Sequence, residues 1–450
     1  MATLALPKSI DYAQPLETLP AGTQSFQVVC NPVSGSTFGP NSQIDIELGS
    51  RGFLVPDSLM IRYTITTANS AECYMCGTPV YSPFLRLNTM INSQTVESIQ
   101  NYNVLANLRS NLLMDVAQKY GQQSAFGYSD NSPTLAVSPV NSLPESLDGG
   151  VFEANGNKAL SAPLPCALSD AEKMIPLFAL NGVRLTFTLD TIASIFSTVK
   201  AWADSTVLGT PENAPLPTNF TISNFEVVYQ CVDLGREVEN MVMSQGPLRI
   251  KSTTWSSAIQ SIPSGASGQL SLVYNQKYSS IKSLFLTFGG TNRPTASTTA
   301  VSANGNMDSF DVSSGGDFQF QVAGVSYPQR ALSAGLNKGG ILQQLRLAIG
   351  SVADRNNTMS INSREWNTVA APASVTYTDV PAKFIVGCSL EKLRMARGGF
   401  FSGTSTENSA IVAQVRLAAA TTYIYNAILT VCADYIFQVD PATRQVMIIS

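Results

Sequence analysis

The sequence predicts an all-β protein with a few short helices, arranged as two tandem β-sandwiches. Three observations carry this reading. Period-two alternation dominates the 450 residues, helical stripes are few, and one strand–turn–helix pattern occurs twice, about half a chain apart.

The strands follow in order. "QIDIELG" sets Ile44, Ile46 and Leu48 on one face against Asp45 and Glu47. "LMIRYTIT" repeats the pattern with Leu59, Ile61, Tyr63 and Ile65. "GVRLTFTLD" opposes Val183, Leu185, Phe187 and Leu189 to Arg184, Thr186, Thr188 and Asp190, and "NFEVVYQCV" aligns Phe225, Val227, Tyr229 and Cys231. Later strands are "SLFLTF" from Ser283, "FQFQVAG" from Phe318, "AIVAQVRLA" from Ala410 and "YIYNAILTV" from Tyr423. The closing "YIFQVDPATRQVMII" reads as a hairpin whose turn starts at Asp440-Pro441. Many short strands with turn residues between them indicate sandwiches or barrels, not βαβ units.

The repeated pattern begins in "RLNTMINSQTVESIQNYNVLANLRSNLLMDV". Leu87, Thr89 and Ile91 alternate, the chain turns at Asn92-Ser93, and Val104, Leu105, Leu108, Leu112 and Val116 then form a helical stripe. It recurs in "FQFQVAGVSYPQRALSAGLNKGGILQQLRLAI", with the turn at Ala323-Gly324. Ile91 and Val322 are 231 residues apart, and Val104 and Ile341 are 237 apart. A tandem duplication of one sandwich accounts for both offsets and for the order of elements. The chain accordingly divides into an N-terminal arm (1–25), a first unit (26–232), a joining segment (233–247) and a second unit (248–450). An eight-stranded jelly roll is a common sandwich for units of this length. The stretches 122–165 and 293–316 read as long surface loops, and Pro7, Pro15 and Pro20 as marks of an extended arm.

Composition narrows the function. Charged residues make up 13% of the chain, about half the usual share, while hydrophobic residues make up 44%. Surfaces of that kind suit burial against neighbours more than solubility as monomers. Net charge is −4 with no basic run, which argues against direct or sequence-specific nucleic-acid binding. The N-terminus lacks the basic and apolar regions of a signal peptide, so assembly inside a host cell is expected. The chain contains no histidine, which excludes Ser-His-Asp and Cys-His nucleophilic sites and histidine-ligated zinc. No phosphate-binding glycine loop follows a strand, and Glu391 and Lys392 read as strand-end charges. Cys30, Cys73, Cys76, Cys166, Cys231, Cys388 and Cys432 read as reduced, mostly buried thiols, with Cys73-Tyr-Met-Cys76 a lone C-x-x-C. The sequons at Asn219 and Asn356 carry little weight. No catalytic, cofactor-binding or metal-ligating residue is assigned, and no enzyme activity is expected.

Four segments carry a family resemblance. They are "FLRLNTMINSQTVESIQNYNVLANLRSNLL", with Ser93 where glycine is expected, and "SAPLPCALSDAEKMIPLFALNGVRLTFTLD". The others are "YSSIKSLFLTF" with the later "FQFQVAGVSYPQ", and "AAATTYIYNAILTVCADYIFQVDPATRQVMI". In order and spacing the chain resembles the double jelly-roll major capsid proteins of tailless icosahedral double-stranded DNA viruses. That lineage includes adenovirus hexon-type proteins, and the likeness is strongest to virophage and polinton-like virus capsids. The resemblance implies a homotrimeric, pseudo-hexagonal capsomer that tiles a virion shell. Its implied partners are neighbouring capsomers, penton proteins and minor capsid or cement proteins. The proline-marked arm is itself expected to lie under the capsomer as a tie, the other reading being a frayed terminus. The rival reading is a carbohydrate-binding sandwich, lectin-like or a viral fibre head, in which Trp202, Trp255 and Trp366 stack sugars. A single-roll penton or minor protein would be shorter.

Overall fold

The two hairpins that mark the repeat fold alike. Ile91 pairs with Gln94 across Asn92-Ser93, and Val322 pairs with Val325 across Ala323-Gly324. All four turn residues are left-handed, with φ of 52°, 60°, 51° and 79°. Two-residue loops of this kind match the twist of the strands they join. The computed structural model describes residues 22–69, 73–75, 77–128, 150–197, 216–290, 316–334, 338–350, 359–361, 384–392, 401–417, 420–421 and 424–449.

The first sandwich is built from β1 (Gln24–Cys30), β2 (Gln43–Leu48), β3 (Met60–Ala68), β4 (Phe84–Ile91), β5 (Gln94–Gln100), β6 (Asn157–Pro163), β7 (Val183–Leu189) and β8 (Asn219–Asp233). Its main sheets run β1-β8-β3-β6 and β2-β7-β4-β5. The second is built from β9 (Leu248–Ile262), β10 (Gly268–Tyr274), β11 (Ile281–Gly290), β12 (Asp317–Val322), β13 (Val325–Ser333), β14 (Ile385–Ser389), β15 (Ile411–Leu417) and β16 (Tyr425–Asp440). Its sheets run β9-β16-β11-β14 and β10-β15-β12-β13. That is the first order with eight added to every label. Each half is an eight-stranded jelly roll, and both place a helix after the fifth strand: α1 (Tyr102–Leu113) in one, α4 (Lys338–Ala348) in the other. Between them in chain order lie α2 (Val116–Gly121) and α3 (Arg236–Ser244), the latter joining β8 to β9. A last strand, β17 (Gln445–Ile449), folds back on β16 through a turn that Asp440 closes by accepting from the Ala442 amide and the Thr443 hydroxyl.

Alternation places the core. Ile44, Ile46, Ile61, Ile65, Leu185, Phe187 and Val227 are fully buried, and Tyr63, Phe84, Phe187 and Phe225 pack their rings at 5.2–5.9 Å. In the second roll Phe318, Phe320 and Val322 and the partner-strand Ile411, Ala413 and Val415 are buried together. Asp45, on the polar face of β2, is nonetheless 8% exposed. It accepts from Thr186, directly opposite on β7, and pairs with Arg184 at 2.8 Å.

Two expectations need correction. The stretch 122–165 is not one loop, because β6 lies within it and buries Leu160 and Ala162 at the sheet edge. Its alternation is weak, since Ala is small, and Pro163 is tolerated there because an edge strand needs no donor on its outer side. The stripe from Val104 to Val116 is also not one helix. α1 ends at Leu113, Val116 opens α2, and Val104 is half-buried. Nine of the twelve residues of α1 are buried, including Asn103, Asn107, Ser110 and Asn111. α4 does follow the amphipathic pattern, burying Ile341, Leu345 and Ala348. Residues 1–21, most of 293–316, Trp202, Trp366, Cys76 and Asn356 lie outside the described residues.

Candidate functional site

With no catalytic constellation expected, the surfaces that join sandwiches are the place to look. One such surface is complete within the chain. β5 is an edge strand, and edge strands present unpaired backbone groups. Here the second sandwich covers it. The Ser257 hydroxyl donates to the Gln100 carbonyl at 2.6 Å, and the Tyr435 hydroxyl donates to the Val96 carbonyl. Ser252 donates to the Ala167 carbonyl at 2.5 Å, and the Glu172 amide donates to the Lys251 carbonyl at 2.9 Å. Apart from Tyr435 of β16, the β9 stretch "KSTTWSS" supplies the second sandwich's share of these contacts, because short hydroxyl side chains let one backbone approach another while still satisfying its carbonyls. Ser360 reaches the other flank, donating to the carbonyl of Asn111 in α1.

Three charged residues lie at the centre of this junction. Glu97 of β5 accepts from the Ala167 amide at 2.8 Å and from the Thr254 hydroxyl of β9 at 2.5 Å. Arg109 of α1 forks onto both oxygens of Asp170 at 2.7 and 2.9 Å, and its guanidinium lies over the Trp255 ring. Glu97 is 6% exposed. Burial pushes its carboxyl up to about 7, against the pull of its two hydrogen bonds and of Arg109, while the Asp170 charge adds to the rise. Lys251 pairs with Glu172 at the rim, at 3.4 Å.

Among the described residues, the equivalent surfaces elsewhere on the molecule are exposed. β9 corresponds to β1, whose Gln24 to Gln27 are exposed and whose Phe26 and Val29 are 38% and 47% exposed. β5 corresponds to β13, another edge strand, where Val325 is 50% exposed and Gln329, Arg330 and Ala331 face solvent. α1 is enclosed, whereas α4 exposes Gly339, Gln343 and Arg346. Each half therefore carries one covered flank and one uncovered flank, and the two uncovered flanks are the counterparts of the two that meet.

The sequence-selected residues fall as follows. Trp255 stacks on Phe285 at 5.7 Å beneath Arg109, which leaves no face for a sugar. Cys30, Cys73, Cys166, Cys231, Cys388 and Cys432 are buried thiols. Burial pushes the Cys73 thiol up to about 11 and the Cys166 and Cys432 thiols up to about 12, away from nucleophilic character. Glu391 accepts from the Ser402 hydroxyl at 2.7 Å, just past the end of β14, beside an exposed Lys392. Among the described residues no helix is long and apolar enough to cross a membrane. Glu97, Arg109 and Asp170 were not marked by sequence reasoning.

No family model and no curated protein matches the chain. Solved structures do. The Faustovirus major capsid protein aligns with a TM-score of 0.59 at 10% identity, over 93% of this chain and 91% of that one. VP54 of PBCV-1, fitted into a reconstruction of the virophage Sputnik, gives 0.60 at 11% identity, over 95% and 97%. The mavirus major capsid protein gives 0.55 at 9% identity, over 100% and 95%. At these identities the likeness is one of fold, over nearly the whole of each chain: this protein has the double jelly-roll fold that those viral major capsid proteins have.

Proposed function

We propose that the chain is a viral major capsid protein that self-associates into homotrimers, each a pseudo-hexagonal block of six jelly rolls. The observation that carries this reading is the mismatch of flanks: β5 and β9 are covered within the chain, while their counterparts β13 and β1 are bare. A contact that joins unlike surfaces repeats from copy to copy, and it makes a closed ring where the rotation between copies closes. Three chains of two rolls give an object with a sixfold outline, which can tile a flat facet. The low charge content supports flanks intended for burial.

In this reading residues 26–232 and 248–450 are the two building units, 233–247 joins them, and 1–25 forms an arm under the capsomer. The partners are neighbouring capsomers, penton proteins and minor capsid or cement proteins. The protein resides in the virion shell, and its role is structural, without catalysis. The sugar-binding alternative loses its support at Trp255, whose ring is covered on both faces.

Size-exclusion chromatography with light scattering tests the reading. A concentration-independent mass near three times 48.0 kDa supports it, and hexagonal particles in negative stain would confirm the outline. A monomer across the micromolar range rejects it.

A further inference from the structure

The junction between the two sandwiches holds an imbalance of charge. Arg109 is the cation at its centre, and both of its terminal nitrogens are committed to Asp170. Glu97 is left with neutral donors, the Thr254 hydroxyl and the Ala167 amide. An ionised Glu97 therefore gives the triad a net charge of −1, enclosed between two apolar cores, and a protonated Glu97 gives zero. The remaining titratable groups around it do not correct the balance. Tyr102 on α1, Cys166 beside Ala167, Tyr278, and Tyr435 on β16 are all neutral groups whose own ionisation burial opposes. Farther out, Lys251 is shared between Glu172 and Asp434, Lys282 lies 3.9 Å from Asp434, and Cys432 stays protonated.

We propose that Glu97 is a proton-operated latch between the two sandwiches, closing the junction when neutral and loosening it when ionised. The short contact with Thr254 suits both states, since a hydroxyl can donate to a carboxylate or accept from a carboxylic acid. Strand β5 carries Glu97 and β9 carries Thr254, so a charge appearing on Glu97 is felt directly by both halves. The carboxyl is raised in the folded protein from its ordinary 4.5 to about 7. A raised folded value means that the folded state holds the proton more tightly than the unfolded chain. The stabilisation is fully present below about 4.5 and is lost as pH rises through about 7. Mild acid thus tightens the joint and mild base relaxes it, the reverse of the acid lability that carboxylates paired with cations confer. The latch lies within one chain, so its behaviour is independent of whether the chain forms trimers.

The test is hydrogen exchange on the full chain at pH 5.5 and pH 8, corrected for intrinsic rates, together with thermal melts from pH 5 to 8. Wild-type amides of β5 and β9 should exchange at least about tenfold faster at pH 8, with core strands such as β7 changing far less. Glu97→Gln, which keeps the acceptor and removes the charge, should flatten both the exchange difference and the pH slope of the melt. Infrared titration of the wild type should show a buried carboxylic acid band lost near neutral pH. Equal exchange of β5 and β9 at the two pH values, or a Glu97→Gln protein that keeps the wild-type slope, overturns the proposal. If Glu97→Gln does not fold, the wild-type exchange and infrared titration still decide it: no protonated band at pH 5.5 overturns it.

Discussion

The Arg109 guanidinium lies 5.2 Å from the centroid of the Trp255 ring, on the other sandwich, while it grips both oxygens of Asp170. One side chain thus closes an ion pair within the first half and a cation–π contact with the second. Arg109 and Asp170 are 15% and 20% exposed as side chains, so removing the cation strands a carboxylate that is largely out of water. Arg109→Met should cost about 2–4 kcal/mol of unfolding free energy, and Arg109→Met with Asp170→Asn clearly less. Urea denaturation of the two single variants and the double variant measures the coupling.

Ser93 holds φ at 60° in a turn where its counterpart in the second half is Gly324 at 79°. A non-glycine residue there carries strain that glycine relieves, partly offset by glycine's freedom in the unfolded chain. Ser93→Gly should stabilise the protein by about 0.5–1 kcal/mol, read as a rise in melting temperature. Gly324→Val should lower it.

Gly403 tests a different constraint. A Cβ at that position would sit 2.2 Å from the carbonyl oxygen of Ile281, where Ile281 and Thr404 form an isolated bridge. That neighbour is backbone and cannot swing aside. Gly403→Ala should cost about 3 kcal/mol or more, with soluble yield and denaturation midpoint as the measurements.

The uncovered flanks yield an assembly prediction. Val29→Glu on β1 and Val325→Glu on β13 place a charge on exposed sites, so each monomer should keep its stability within about 0.5 kcal/mol. Each should nevertheless shift the sedimentation profile from trimer to monomer. A control such as Met447→Glu, on the exposed face of β17, should leave the profile unchanged.

Thiol chemistry follows burial. With thiols pushed up to about 11 at Cys73 and about 12 at Cys166 and Cys432, iodoacetamide at pH 8 should leave these three unlabelled in the native protein. Labelling should appear only after denaturant is added, as peptide mapping by mass spectrometry would show.

Much of the fold was legible because a sheet with one buried face writes itself into sequence as alternation. Ile44, Ile46, Phe187 and Val227 are apolar for that single reason, and the two hairpins are visible because their strands and helices follow in the same order. β6 was illegible because "NKALSAP" offers one large apolar residue, and small or edge positions leave no rhythm. α1 was misjudged because an amphipathic stripe presumes one wet face, whereas this helix is enclosed by both halves. The junction was hidden for a further reason. Arg109 meets Asp170 across 61 residues and Glu97 meets Thr254 across 157, and no local pattern encodes such meetings. The one available signal was the run of hydroxyls around Trp255, out of place in a strand fifteen residues long.

The enclosure of α1 also bears on how the molecule is born. Its cover includes β9, which leaves the ribosome only after the whole first sandwich has been made. A nascent half-molecule therefore displays a naked edge at β5 and an ionisable triad with no lid, a sticky intermediate that chaperones can recognise. Synthesis of the second half heals that wound, so the order of translation doubles as the order of assembly.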